Sequence, residues 1–226
     1  MEQSDFEWRI TDTETAGLEG GVCDVAVRAI DKDFNLLWER ESLIDPERPI
    51  SPGASGVHGI VDEMVVDMPT LQEYVDVYGN PFTSERLVVV GHNIQFDIRM
   101  LGAVLPVPHR KLCTLKLAKL VWPEGMDDYK LQTLRYTFRL EAGDAHRAMG
   151  DVITCHSLLK VAGEKLGTDM YGLMDFCRKP LPKTTKFPCG KHKGTMLKDL
   201  PGSYVSWALV NMTNLDDDLK EALQAL

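Results

Sequence analysis

The start of the chain alternates apolar runs with short polar breaks, which predicts three β-strands with tight connections. Trp8 and Ile10 lie in the first strand, and the turn signal at Ala16 ends it. The runs 22–30 and 36–44 form the next two strands, with the polar sequence DKDFN between them as a turn. Because so few residues join these strands, we expect them to pair antiparallel.

The middle of the chain alternates strand and helix patterns. The continuous apolar run 87–90 is typical of a strand that is covered on both faces. A short strand at 111–113 precedes helices at 114–121 and 131–138, and apolar residues at helical spacing predict a longer helix over 148–162. The sequence therefore predicts an α/β fold, in which a mixed five-stranded sheet carries helices on both faces.

The segments between and after these elements divide the chain further. The stretch 45–60 is too rich in proline and glycine for more than a short helix, and Thr70 is a predicted N-cap. We expect a main domain over residues 1–170, a linker over 171–186 and a small α+β module over 187–226. In that module FPCGKHKG predicts a tight turn between two short strands, and Asn214 a cap for the last helix.

Composition restricts the class of protein. The chain has 226 residues, of which 44% are hydrophobic and 26% are charged, as in an ordinary globular protein. No apolar run approaches the roughly 20 residues that cross a bilayer, and the start MEQSDFE lacks a secretion signal. The five scattered cysteines form no CxxC pair, which favours reduced thiols. These features predict a cytoplasmic protein with no membrane contact.

Charge is unevenly distributed along the chain. The net charge of −9 argues against nucleic acid as a partner. However, the segment from Arg178 to Lys198 contains seven Lys or Arg and no acid, so the remainder of the chain carries −16. This segment is either a solvated connector or a contact for phosphates. Cys177, Cys189 and His192 in the same region lack a clear fourth partner for a zinc site.

Two acidic residues at the end of the first strand indicate chemistry. Asp12 and Glu14 are two residues apart, so both carboxylates leave the same face of the sheet. Two neighbouring anions near a core repel each other and need a shared proton or a bound cation. Two further aspartates, Asp97 and Asp151, follow later in the chain in recognisable sequence contexts, which favours a bound cation over a shared proton. His146 lies about 140° from Asp151 on a helical wheel, so we place it in the loop before that helix.

Four motifs give these residues a family context: DTETAGL at 12–18, VHGI at 57–60, GHNIQFD at 91–97 and HRAMGD at 146–151. Together they resemble the DEDD exonuclease superfamily, and the histidine of HRAMGD is typical of its DEDDh branch. The segments PISPGASGVHGI, CTLKLAKLVWP and FPCGKHKG look most like the exonuclease X group of that branch. Asp24 departs conservatively from the Glu that relatives often carry.

The resemblance implies a ribonuclease-H-like fold and a two-metal reaction. Two Mg²⁺ or Mn²⁺ ions would be held by the four carboxylates, with Asp12 bridging both and Asp97 supporting the second. Glu14 and Asp151 would complete the first ion's ligands. His146 would be the general base that takes a proton from the attacking water.

The resemblance also implies a pocket for the last nucleotide. The backbone near Thr15 and Ala16 would hold the terminal 3′ sugar, and Leu18 would wedge against the last bases. His58 and Phe96 would line the pocket. Taken from the residues alone, His58 equally well satisfies loop backbone groups, and Leu18 and Phe96 equally well belong to the core.

These inferences predict a 3′→5′ exonuclease that binds a nucleic acid 3′ end and releases nucleoside 5′-monophosphates, with DNA as the substrate. A 3′→5′ exoribonuclease remains open, because the same five residues serve both substrates. A catalytically inactive module that only binds 3′ ends is the alternative from another functional class. The sequence does not determine the oligomeric state.

Overall fold

The structure, a computed structural model, describes residues 6–18, 20–213 and 215–226. The described residues form a five-stranded sheet of β1 (Glu7–Thr15), β2 (Val22–Ile30), β3 (Leu36–Leu43), β4 (Leu87–Gly91) and β5 (Lys111–Cys113). The strands lie in the order β3-β2-β1-β4-β5. The β1-β2 and β2-β3 pairs are antiparallel, and the β1-β4 and β4-β5 pairs are parallel. The mixed sheet predicted from the sequence is confirmed.

Helices cover both faces of this sheet. In chain order, the helices are α1 (Pro52–His58), α2 (Asp62–Val65), α3 (Leu71–Tyr78), α4 (Gln95–Gly102), α5 (Thr114–Val121), α6 (Leu131–Phe138), α7 (Ala148–Leu166), α8 (Met170–Phe176), α9 (Gly202–Asn211) and α10 (Asp217–Gln224). Helices α5 to α8 share one apolar core with the sheet, and α3 and α4 share the other. The flanking helices on two faces agree with the predicted α/β class.

The alternation of side chains along β4 explains the two cores. Val88 and Val90 pack into the core under α7, whereas Leu87 and Val89 pack into the core under α3 and α4. Every residue of β4 is buried, as expected for a parallel strand between two helical layers. The site residues of β1 lie beside this rigid strand, because β1 and β4 are hydrogen-bonded neighbours.

Local capping fixes the loop that follows the first three strands. Ser51 caps α1 by accepting a hydrogen bond from the Ala54 N–H, and Gly59 ends the helix with a φ of 73°. Thr70, the predicted N-cap, forms a capping box with Glu73 at the start of α3. The loop thus has a defined path over the end of β1.

The C-terminal module has its own apolar cluster, to which α9, α10 and Phe187 contribute. The structure corrects the two strands expected around FPCGKHKG. Lys186 and Met196 form one isolated antiparallel bridge, and a 3₁₀ turn at Gly190–His192 lies between them. Pro188 follows directly after Phe187 and has no N–H to extend a ladder.

Two details of the tail differ from the sequence prediction. Asn214, the predicted cap of the last helix, lies outside the described residues, and Asp216 caps α10 by accepting the Leu219 N–H at 2.7 Å. Within the segment 171–186 that we expect to be a linker, α8 continues to Phe176, and its Met170 and Leu173 are buried in the main core. In the part of the chain that the structure describes, no helix is long and apolar enough to span a membrane.

Candidate active site

The end of β1 presents two carboxylates on one face, as the period of a strand requires. Asp12 lies opposite Ala26 of β2 and Glu14 lies opposite Asp24. The pairing shifts register directly after Glu14, so the strand bends there. Both carboxylates are half-buried at this bend, which keeps them close to the core and still reachable from solvent.

Asp97 reaches the same end of the sheet from α4, the helix that follows β4. Its Oδ1 accepts the Thr13 backbone N–H at 2.9 Å and the Thr13 hydroxyl at 2.8 Å. These two hydrogen bonds fix Asp97 to the residue between Asp12 and Glu14. The side chain is only 3% exposed, so its orientation is set by the strand rather than by solvent.

Asp151 comes from the first turn of α7, which packs across β1. Gln132 of α6 donates to Asp151 Oδ1 at 2.8 Å and orients the carboxylate. One oxygen each from Asp12, Glu14 and Asp151 lies within 4.8 Å of the others. The structure therefore brings three of the four predicted carboxylates into one group, and holds Asp97 beside it through Thr13.

The electrostatics of this group favour a cation. Burial, and then repulsion from the neighbouring carboxylates, raises the pKa of Asp12 well above its ordinary value. Burial and the nearby Asp151 raise the pKa of Glu14 to about 7. Burial also raises the pKa values of Asp97 and Asp151. Hard carboxylate oxygens that are half-buried and short of positive charge fit a divalent ion such as Mg²⁺ or Mn²⁺.

The zinc alternative gains no support. Among the described residues, the group of side chains that are close enough to hold a metal consists of Asp12, Glu14 and Asp151. Cys177 and Cys189 are free thiols, and His192 packs against Tyr204 instead.

His146 lies in the loop before α7, as the sequence predicted, with an exposed side chain and a φ of 57°. Burial raises the pKa of Asp151, and hydrogen bonds from Gln132 and from the His146 backbone partly offset this rise. Gly150 allows the loop to lie this close to the helix, since a Cβ there would come within 1.8 Å of the Asp144 carbonyl oxygen. The glycine of HRAMGD thus has a packing role.

Sequence reasoning missed a partly buried ion pair under the same loop. Arg147 Nε lies 2.9 Å from Asp24 Oδ2, and the Ala148 N–H points at the same oxygen at 3.4 Å. Asp24 is 3% exposed and lies across from Glu14 on β2. The pair therefore joins the start of α7 to the strand beside the carboxylates. The available signals were an acid within an apolar strand and an arginine next to His146.

The residues predicted to hold a terminal nucleotide lie around the end of β1. Ala16 is buried, and the Thr15 hydroxyl donates to the Gly17 carbonyl at 2.9 Å. His58 accepts the Ile60 N–H on Nδ1 at 3.1 Å and lies 3.2 Å from the Thr15 carbonyl through Nε2. Both nitrogens of His58 therefore support the backbone of this loop.

The two apolar members of that set differ in exposure. Leu18 is 83% exposed, so it is not a core residue. Phe96 is half-buried and carries the Arg99 guanidinium 5.5 Å from its ring centre. Leu18 follows the end of β1 and Phe96 immediately precedes Asp97, so both are close in sequence to the carboxylates.

Residues 10–159 match the family model RNase_T, whose description is Exonuclease. The chain belongs to this exonuclease family. Exodeoxyribonuclease 10 of Escherichia coli K12 is 32% identical over 226 residues, which cover 96% of each chain. DNA polymerase III subunit epsilon of Treponema pallidum is 32% identical over 157 residues, 65% of this exonuclease and 72% of that protein.

Solved structures agree with the fold. A structure of exonuclease X in complex with 5′ overhanging duplex DNA matches with a TM-score of 0.62 and 33% identity, over 75% of this chain and 99% of that one. Escherichia coli exonuclease I with a dA16 oligonucleotide matches with a TM-score of 0.63 and 19% identity, over 76% of this chain and 43% of that one. The second likeness concerns the fold alone.

Proposed function

We propose that this chain is a metal-dependent 3′→5′ exonuclease that acts on DNA and releases nucleoside 5′-monophosphates. The observation that carries the proposal is the group of Asp12, Glu14 and Asp151, whose oxygens lie within 4.8 Å of one another. A protein that only bound the anionic end of a nucleic acid would gain nothing from buried carboxylates at its binding site. Relatives named for DNA exonuclease activity support the choice of substrate.

The placement of the carboxylates supports the proposed metal ligands. Asp12, Glu14 and Asp151 would hold one divalent ion, and Asp12 with Asp97 would hold a second. Divalent ions bound here would lower the pKa of a water molecule and neutralise the alkoxide that leaves. Thr13 restrains Asp97 and Gln132 restrains Asp151, so the ligands are oriented before any ion binds.

His146 would remove the proton from the attacking water. It is exposed, it lies in a loop, and its backbone interacts with Asp151. The imidazole can therefore reach the reacting phosphate from the solvent side while the start of α7 keeps its loop in place. Imidazole is the side chain that most often serves as a general base near neutral pH, so a histidine suits this role.

Preference for a chain end would come from the loop after β1. The backbone at Thr15 and Ala16 would receive the 3′-terminal sugar, with exposed Leu18 against the last base and Phe96 on the other side. His58 would act mainly by holding the Thr15 carbonyl in place. Contacts to a free 3′ end at this loop would favour the terminal phosphodiester over an interior one.

The test is hydrolysis of matched DNA and RNA strands that carry a 5′ label. With Mg²⁺, we expect stepwise shortening of the DNA from its 3′ end and nucleoside 5′-monophosphates as products. EDTA should stop the reaction, and Asp12→Ala should abolish turnover. Glu124→Gln, which changes an exposed acid outside the site, is the control and should retain full rate. Faster loss of RNA than of DNA would overturn the choice of substrate.

A further inference from the structure

The C-terminal module carries positive charge that the proposed reaction does not use. Lys183, Lys186, Lys191, Lys193 and Lys198 are all exposed. No salt bridge between described residues includes any of these five lysines. This part of the surface is therefore basic on a chain with a net charge of −9.

A row of aromatic rings lies against the same segment. The His192 ring lies 4.3 Å from the Tyr204 ring, and Tyr204 stacks with Trp207 at 5.5 Å and 29°. Trp207 ends the row and is 50% exposed. Phe187, by contrast, is 1% exposed and meets Tyr204 edge-on. The row thus begins in the module's core and ends at Trp207, whose side chain is half exposed to solvent.

Backbone contacts hold the lysines next to this row. The Phe187 N–H donates to the Thr195 carbonyl, and the Gly194 N–H donates to the Phe187 carbonyl, both at 2.8 Å. These bonds close the loop that contains Lys191, His192 and Lys193. Since His192 contacts Tyr204, the two lysines on either side of it flank the aromatic row.

Asp199 follows Lys198 directly, whereas the other acids of the module belong to α10 and its N-cap and are distant in sequence from Lys191 and Lys193. Asp216, Asp217 and Asp218 start α10 and line a cavity of about 340 Å³ against the main domain. Lys116 of α5 pairs with Asp218 there at 2.6 Å. The negative end of the module therefore faces the main domain, and the lysine loop carries no such acids.

We propose that Lys191, Lys193, Tyr204 and Trp207, here called the lysine–tryptophan face, bind single-stranded nucleic acid. The two ammonium groups would contact successive phosphates, and the indole of Trp207 would stack on a base, supported by Tyr204 behind it. Lysines beside an exposed, pre-stacked aromatic ring are the combination that single-strand binding surfaces use. A duplex hides its base faces and would use only the charges. The proposal concerns a site separate from the carboxylates and does not rest on the proposed function.

The test is the affinity of the full chain for a fluorescein-labelled single strand, measured by anisotropy in EDTA so that the strand stays intact. Lys191→Ala with Lys193→Ala should weaken binding about tenfold and reduce the salt slope by about 1.4, the value for two lost single-strand phosphate contacts. Trp207→Ala should weaken binding about 5- to 150-fold, the range for one stacked base. Trp207→Phe keeps a ring and should retain most of the affinity.

Matched controls distinguish a specific binding site from the general effect of losing an exposed apolar residue or two positive charges. Val210→Ala alters an apolar residue of the same helix that is 81% exposed, and Lys32→Ala with Lys160→Ala removes two exposed lysines of the main domain. Both should bind as the unaltered chain does. Unchanged thermal unfolding of each variant would show that the module remains folded.

Three results would overturn the proposal. The first is wild-type affinity in the double lysine variant, and the second is equal weakening in the Lys32 and Lys160 control. The third is a loss of binding to phosphatidylserine vesicles with no loss of binding to the oligonucleotide, which would assign the face to an anionic membrane surface. In Asp12→Ala, binding of the oligonucleotide should still depend on Trp207, because the lysine–tryptophan face is separate from the carboxylates. Failure of the nuclease proposal would therefore produce none of these three results.

Discussion

Removing one carboxylate from the site should stabilise the metal-free protein. Burial and its acidic neighbours raise the pKa of Glu14 from 4.5 to about 7. A rise of that size corresponds to about 3 kcal/mol of unfavourable free energy when the group is ionised. Because Glu14 is partly exposed, screening by solvent reduces the expected effect to about 1–2 kcal/mol. Glu14→Gln should therefore raise the free energy of unfolding by that amount in EDTA near pH 8.

The pH dependence of this gain has a definite sign. The folded state holds the Glu14 proton up to about pH 7, whereas the unfolded chain releases it near 4.5. The penalty is then complete above pH 7, shrinks as the pH falls and is absent below 4.5. The gain from Glu14→Gln should accordingly be lost at acid pH. Added Mg²⁺ should stabilise the unaltered chain and have less effect on the variant.

Urea denaturation followed by tryptophan fluorescence provides the measurement, near pH 8 and near pH 5, with and without EDTA. Glu124→Gln is the control for losing one exposed acid and should change the free energy of unfolding by less than about 0.5 kcal/mol. A Glu14 variant that is no more stable than the unaltered chain near pH 8 in EDTA would refute the reasoning. A gain of equal size near pH 5 would do the same.

Three further predictions concern the elements around the site. His146→Ala should lower kcat about 10²- to 10⁴-fold in steady-state hydrolysis, while calorimetric Mn²⁺ affinity stays within about threefold. Gly150→Ala, which places a Cβ 1.8 Å from the Asp144 carbonyl, should cost about 3 kcal/mol or more in denaturation. Burial lowers the pKa of His156 to about 4, so between pH 6.5 and 4 the contribution of His156 to stability should fall by about 1.4 kcal/mol per pH unit, beside separate contributions from His92 and Glu14. His156→Gln should change the slope of stability against pH by that amount, and a variant with the same slope as the unaltered chain would contradict the prediction.

The sheet could be predicted because each strand has its own local signal. Alternation at Trp8 and Ile10 placed Asp12 and Glu14 on one face, and the buried run of β4 marked a central parallel strand. The capping box at Thr70 was visible as a Thr followed three residues later by Glu. These features depend on residues that are close in sequence, so patterns along the chain are sufficient.

Contacts between distant segments could not be predicted in this way. Asp24 and Arg147 are 123 residues apart, and the arginine looks like an ordinary surface residue until α7 packs on β2. Gln132 orients Asp151 for the same reason, since only the packing of α6 against α7 brings them together. These supporting contacts around the carboxylates therefore depend on tertiary structure.

The tail illustrates a different limit. FPCGKHKG has the glycines of a turn, but Pro188 and the 3₁₀ turn at Gly190–His192 leave one bridge instead of a ladder. The Asp216 cap was available three residues before Leu219, yet neighbouring aspartates and Asn214 compete for that role in the sequence. Short elements have too few residues for their pattern to select one pairing.

The most direct test of the account is anomalous diffraction from crystals of the full chain soaked in Mn²⁺. The account predicts a peak within coordination distance of Asp12, Glu14 and Asp151, and a second peak beside Asp12 and Asp97. Crystals of Asp12→Ala treated in the same way should lose both peaks. Mn²⁺ density that is absent from these carboxylates in the unaltered chain, or is unchanged in the variant, would contradict it.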